Sequence, residues 1–212
     1  MSKKIRMKYF NVFLTLFLFT SCQSQNAISK TDQMNIPIVT QETEKFNFAG
    51  FVKDESKAIL IGPDGTVTTY MKYALGFSVK IQSPKSYFYV AKNFFRNQMI
   101  KEKGVLLNTG HCPVGIWFFY NEDGKLTKQI DFDLEYQFGL GKLFDYLRGQ
   151  KINLTEGVVT QGFHTEIYRE IENGNPLYYV HWLIKADQIE ILTIDGNTGK
   201  ILNKDYSKYD NS

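Results

Sequence analysis

The run Phe163-His164-Thr165-Glu166-Ile167-Tyr168-Arg169-Glu170-Ile171, the segment Glu172-Asn173-Gly174-Asn175-Pro176, and the run Leu177-Tyr178-Tyr179-Val180-His181-Trp182-Leu183-Ile184 decide how this chain folds. Phe163, Ile167 and Ile171 alternate with His164, Glu166, Tyr168 and Glu170. Beyond the turn, Tyr178, Val180, Trp182 and Ile184 alternate with Tyr179, His181 and Leu183. Such alternation marks strands with one buried face, and the Asn, Gly and Pro between them mark a reversal. Gln188 to Ile194 reads as a third strand, which Asp195-Gly196-Asn197-Thr198-Gly199-Lys200 turns into Ile201-Leu202. Upstream, Leu140, Leu143, Phe144 and Leu147 fall at i, i+3, i+4 and i+7, one face of a helix that ends near Gly149. A helix followed by an antiparallel meander is an α+β unit, expected over residues 139–212.

Before it, residues 46–138 carry β signals. Ala58-Ile59-Leu60-Ile61 and Thr66-Val67-Thr68-Thr69-Tyr70 flank the turn Gly62-Pro63-Asp64-Gly65. Gly115 to Tyr120 and Lys125 to Ile130 flank Asn121-Glu122-Asp123-Gly124. Both read as hairpins, because β-branched and aromatic side chains pack well on a pleated surface and Asp-Gly suits a turn. Residues 22–45 are polar, their apolar residues isolated, and are expected to form a flexible tether, with Ile36-Pro37-Ile38-Val39 the alternative of a short edge strand. The expected fold class is therefore α+β: mostly antiparallel hairpins, then a helix and an antiparallel meander.

Residues 1–21 have the layout of an export signal. Lys3, Lys4, Arg6 and Lys8 precede an apolar stretch from Tyr9 to Phe19, too short to span a bilayer, and then Thr20 and Ser21. Phe19-Thr20-Ser21-Cys22 resembles the lipobox of bacterial lipoproteins. That resemblance implies cleavage before Cys22, acyl chains such as palmitate on Cys22, and a membrane partner held through that lipid. Gln23 stands where an Asp favours the inner membrane in many Gram-negative lipoproteins. The expected address is accordingly the outer membrane, facing the periplasm.

Cleavage changes the charge. The chain holds 25 Lys and Arg against 22 Asp and Glu; losing four cations and no acid leaves 21 against 22. A near-neutral chain of about 190 residues lacks the basic patch that counterion-release binding needs, so nucleic acid is not an expected partner. With Cys22 lipidated, Cys112 is the only thiol left and forms no intrachain disulfide.

Two further resemblances concern the body. Gly115-Ile116-Trp117-Phe118-Phe119-Tyr120-Asn121-Glu122-Asp123-Gly124-Lys125-Leu126 resembles the glycine–aromatic hairpin of MORN-type repeats. Phe94 to Gly104 is a weaker preceding unit, with Asn97-Gln98 where the family prefers Asn-Gly. The segment from Leu140 to Leu202, with Trp182, Ile191-Leu192-Thr193-Ile194-Asp195 and Thr198-Gly199-Lys200-Ile201-Leu202, resembles the PepSY domain family. The first resemblance implies an interaction surface, and an antitoxin or immunity role in some relatives. The second implies a binding or inhibitory module with no catalytic residues to carry over. Together they imply a non-enzymatic protein that binds a protein or peptide.

No stretch carries a catalytic or cofactor motif, and no cofactor is expected. His111 and Cys112 are the pair a thiol enzyme would use, but neighbours in extended chain point to opposite sides, so His111 is badly placed to serve Cys112 as a base. A metal would use His164, His181, Glu166 and Glu170, which share the wetter face if the hairpin register aligns them. The plain reading of these residues is a solvated polar face, so no metal is assigned. Asp195-Gly196-Asn197 reads as a turn, since it lacks the later acids of a calcium loop. A metal or thiol enzyme stands as the alternative from another class.

Overall fold

A computed structural model describes residues 34–48, 51 and 55–210. The expected signal segment and Cys22 lie outside the described residues. The protein is α+β and mostly antiparallel. Seven strands, β1 (Lys57–Ile61), β2 (Val67–Tyr73), β3 (Gly76–Gln82), β4 (Phe88–Phe95), β5 (Ile100–Leu107), β6 (Pro113–Tyr120) and β7 (Leu126–Asp131), pair in chain order as one meander. One helix, α1 (Leu140–Gly149), follows. Then β8 (Glu166–Glu172), β9 (Asn175–Lys185), β10 (Gln188–Asp195) and β11 (Ile201–Lys208) form a four-stranded meander in which β8 and β11 are the edges.

The turns follow their chemistry. Asp64 accepts the Thr66 N–H at 3.0 Å, and Gly65 takes a φ of +81°. Asn173 and Gly174 join β8 to β9 with both φ positive, as a two-residue hairpin turn of type I′ demands. In the hairpin between β4 and β5, Gln98 adopts φ +70°, in the left-handed region that favours glycine.

Leu140, Leu143, Phe144 and Leu147 are all buried, as the helical spacing requires. They enter a cluster that also takes Phe88, Val105, Leu107 and Val114 from the first sheet and Ile167, Val180, Leu192 and Ile194 from the second. The Phe88 and Phe144 rings stack with centroids 6.1 Å apart. The described parts of residues 46–138 and 139–212 thus meet in one core. A second cluster joins Val79, Phe94, Ile100, Phe118 and Tyr120 of the first sheet to Phe46 from the segment before β1.

Residues 34–48 are docked over these clusters. Met34 and Val39 pack on the shared core, Phe46 is buried, and Lys45 bridges Met99. The Ile100 N–H donates to the Glu44 carbonyl at 2.9 Å, and the Tyr120 hydroxyl to the Gln41 carbonyl at 2.9 Å. The part of the expected tether that is described is therefore fixed to the sheet. Its polar character reflects one half-exposed layer, and Lys103 explains its position. That lysine is fully buried on β5, and its ammonium donates to the Glu42 carbonyl and the Glu44 carboxylate.

The inward face of β8 also differs from expectation. Ile167 is buried, but Arg169 fills the next inward position and Ile171 stands 57% exposed. The sheet runs past the end of the core there, so an isoleucine in inward phase reaches solvent.

Candidate binding groove

Ile171 emerges beside a groove of about 660 Å³ where the two sheets come together. One wall is the consecutive run Lys128–Phe132, along β7 and just past it. The other is Arg169–Ile171 of β8. Both are edge strands, so the groove runs between two sheet edges that no further strand pairs among the described residues. Backbone direction supports this. The Phe132 N–H donates to the Gly115 carbonyl at 3.0 Å, so alternation turns the backbone of Asp131 and Gln129 away from β6. On β8, Gly110 sits so close to Ile167 that an added Cβ would lie 2.7 Å from its backbone nitrogen. That loop covers the start of the β8 edge, and the same alternation turns Arg169 and Ile171 outward beyond it.

Arg169 holds the floor. Its guanidinium donates to the Asp133 carboxylate at 2.5 Å, the Pro113 carbonyl at 2.9 Å and the Tyr178 hydroxyl at 3.2 Å. It lies 4.6 Å from the centroid of the Tyr136 ring. Burial works against its charge, but Cys112, Tyr178 and Asp133 around it outweigh burial and hold its pKa above the ordinary value. Asp133 in turn accepts the Gly115 N–H at 3.0 Å. The Tyr136 hydroxyl donates to the carbonyls of Glu170 and Leu177, and burial pushes its pKa up to about 12. One arginine therefore ties β6, the loop after β7, β8 and β9 together beneath the groove. Its Nε–H has no hydrogen-bond partner among the described residues.

The residues singled out from the sequence are dispersed. His111 is exposed and lines the groove, while Cys112 is wholly buried in the shared core. Burial pushes the Cys112 thiol up to about 12, so it is a protonated packing residue at neutral pH. Glu166 lies opposite His181 in the β8–β9 register, with Oε2 3.9 Å from Nδ1. Burial draws the His181 imidazole below its ordinary value and Glu166 offsets this only in part. His164 is engaged elsewhere: its ring nitrogens lie 2.8 Å from the Thr155 hydroxyl and 2.9 Å from the Thr160 carbonyl. Glu170 is exposed at the groove. Among the described residues, no group of three His, Cys, Asp or Glu stands where it would hold a metal ion. No helix among them is long and apolar enough to cross a membrane.

No family model, curated protein or solved structure matches the chain. Sequence reasoning passed over Arg169, Asp133 and Tyr136. The available signal was a charged residue in the inward phase of a strand, between Ile167 and Ile171.

Proposed function

We propose that this protein is a lipid-anchored component of the bacterial envelope that binds an extended segment of another polypeptide, without catalysis, between β7 and β8. The observation that carries the reading is a groove walled by two unpaired strand edges and lined with apolar side chains. An extended segment adds to a sheet edge through its backbone, and pockets for alternate side chains supply specificity. Leu134 and Ile171, 76% and 57% exposed at this groove, offer such contacts. The anchor rests on the cationic opening, the apolar stretch and Cys22. The resemblances to MORN and PepSY units point the same way, toward binding.

Gln129→Pro tests the site. The Gln129 N–H points away from β6, so proline there spares the internal ladder while blocking an added strand. The variant keeps its thermal midpoint within about 2 °C and loses the partner that the full wild-type chain retains from envelope extract. A folded variant that still retains that partner would place the binding elsewhere. For the anchor, palmitate label is expected on the wild type and absent from Cys22→Ala.

A further inference from the structure

The groove's charge says which kind of strand it takes. Asp131, Glu135 and Glu170 are exposed along its rim, and none forms an ion pair among the described residues. Of the two cations that line it, Arg169 is committed to Asp133, which leaves Lys128 as the one unpaired lysine or arginine of the lining. Three carboxylates without a cationic partner, one of which (Asp131) accepts the Asp133 N–H at 3.0 Å, stand against one lysine and give a net negative rim around the apolar surface of Leu134 and Ile171. The floor adds a donor in need of an acceptor, the Nε–H of an Arg169 side chain that is only 3% exposed.

We infer that the occupant is an extended segment of a separate polypeptide in which apolar residues alternate with lysine or arginine. The inference rests on the reading of the groove as a strand-addition site and adds the chemistry of the strand. Alternation is what a strand requires, because successive side chains point to opposite faces. Apolar side chains then face Leu134 and Ile171, and bases meet the carboxylates. Rim charges of this kind act on encounter rate and discrimination more than on total affinity, so the effect shows as selectivity and salt sensitivity.

The test measures fluorescence anisotropy of two labelled octapeptides, alternating valine–lysine and alternating valine–glutamate, with blocked ends. The full chain is held in nanodiscs of zwitterionic lipid, which do not themselves attract the basic peptide. The lysine peptide is expected to bind about tenfold more tightly or better, with the gap closing at high salt. In the triple variant D131N/E135Q/E170Q the gap closes at low salt as well. Equal binding of both peptides, abolished by backbone N-methylation, overturns the charge inference and leaves the strand-addition reading standing. Absence of binding by either peptide overturns both. Self-association of the chain that the triple variant abolishes would make the occupant a second copy and overturn the inference of a separate partner.

Discussion

Glu44 lies 59 residues before Lys103 and supplies the only carboxylate that this buried ammonium touches among the described residues. It also pairs with Lys92 at 2.5 Å. A charge inside the sheet is tolerated only while its partner is present, and removing one member of such a pair leaves the other uncompensated. Glu44→Gln keeps the shape and removes the charge, and is expected to destabilise the fold by about 2 kcal/mol at pH 7. The pH dependence has a definite sign. Burial raises the Glu44 pKa, yet Lys103 and Lys92 together outweigh it and hold the carboxyl below its ordinary 4.5. A depressed folded pKa contributes stability that is present above the unfolded value and is lost as pH falls through the folded one. Urea unfolding should therefore separate wild type from variant at pH 7 and bring them together at an acid pH below the lowered folded value. An equal gap at both pH values would mean that Glu44 acts through packing and not through charge.

At the scale of the element, β5 shows what a single glycine permits. The Trp117 indole crosses directly over Gly104, where an added Cβ would overlap it, and its Nε1 donates to the Val105 carbonyl at 3.1 Å. The β5–β6 register slips between Lys103 and Val105, at this crossing. Gly104→Ala should cost about 1–3 kcal/mol by overpacking and shift the Trp117 emission to the red. Trp117→Phe in the same background should recover part of that loss, and simple additivity of the two changes would rule out the crossing as the cause. The same strand shows where legibility ended. The hairpins of β1–β2 and β6–β7 and the face of α1 were readable because their signals are local, an Asp-Gly turn or a period of 3.6. In β5, Lys101, Glu102 and Lys103 interrupt the alternation, and Lys103 is inside only because Glu44 comes from far away in sequence. The sequence pattern marks only Ile201-Leu202 of β11, which extends to Lys208, since a polar edge strand is defined by pairing with β10 and not by its own pattern. The groove was illegible for the same reason: Arg169 and Asp133 meet across 36 residues.

At the scale of the molecule, the shared core determines how the two sheets lose structure. Separating them would expose Phe88, Val105, Leu107 and Val114 on one side, and Ile167, Val180, Leu192 and Ile194 on the other. Each such side chain contributes about 1.5–3 kcal/mol on burial, so their joint loss is comparable to the about 5–15 kcal/mol by which whole domains are stable. Neither sheet should outlast the other. The Arg169 contacts to Pro113 and Tyr178 act in the same direction, because freeing either sheet would strand a buried guanidinium. The chain carries its own reporters, Trp117 in the first sheet and Trp182 in the second. Two single-tryptophan variants, Trp182→Phe and Trp117→Phe, isolate them. Within each variant, the fluorescence midpoint in urea should coincide with the midpoint by far-ultraviolet circular dichroism, the standard of two-state behaviour. The comparison is internal to each variant, so the stability that Trp117→Phe itself removes does not bias it. A Trp182 transition that precedes the dichroism while the Trp117 transition follows it would show two independent units. The core between them would then be a contact of separately stable parts.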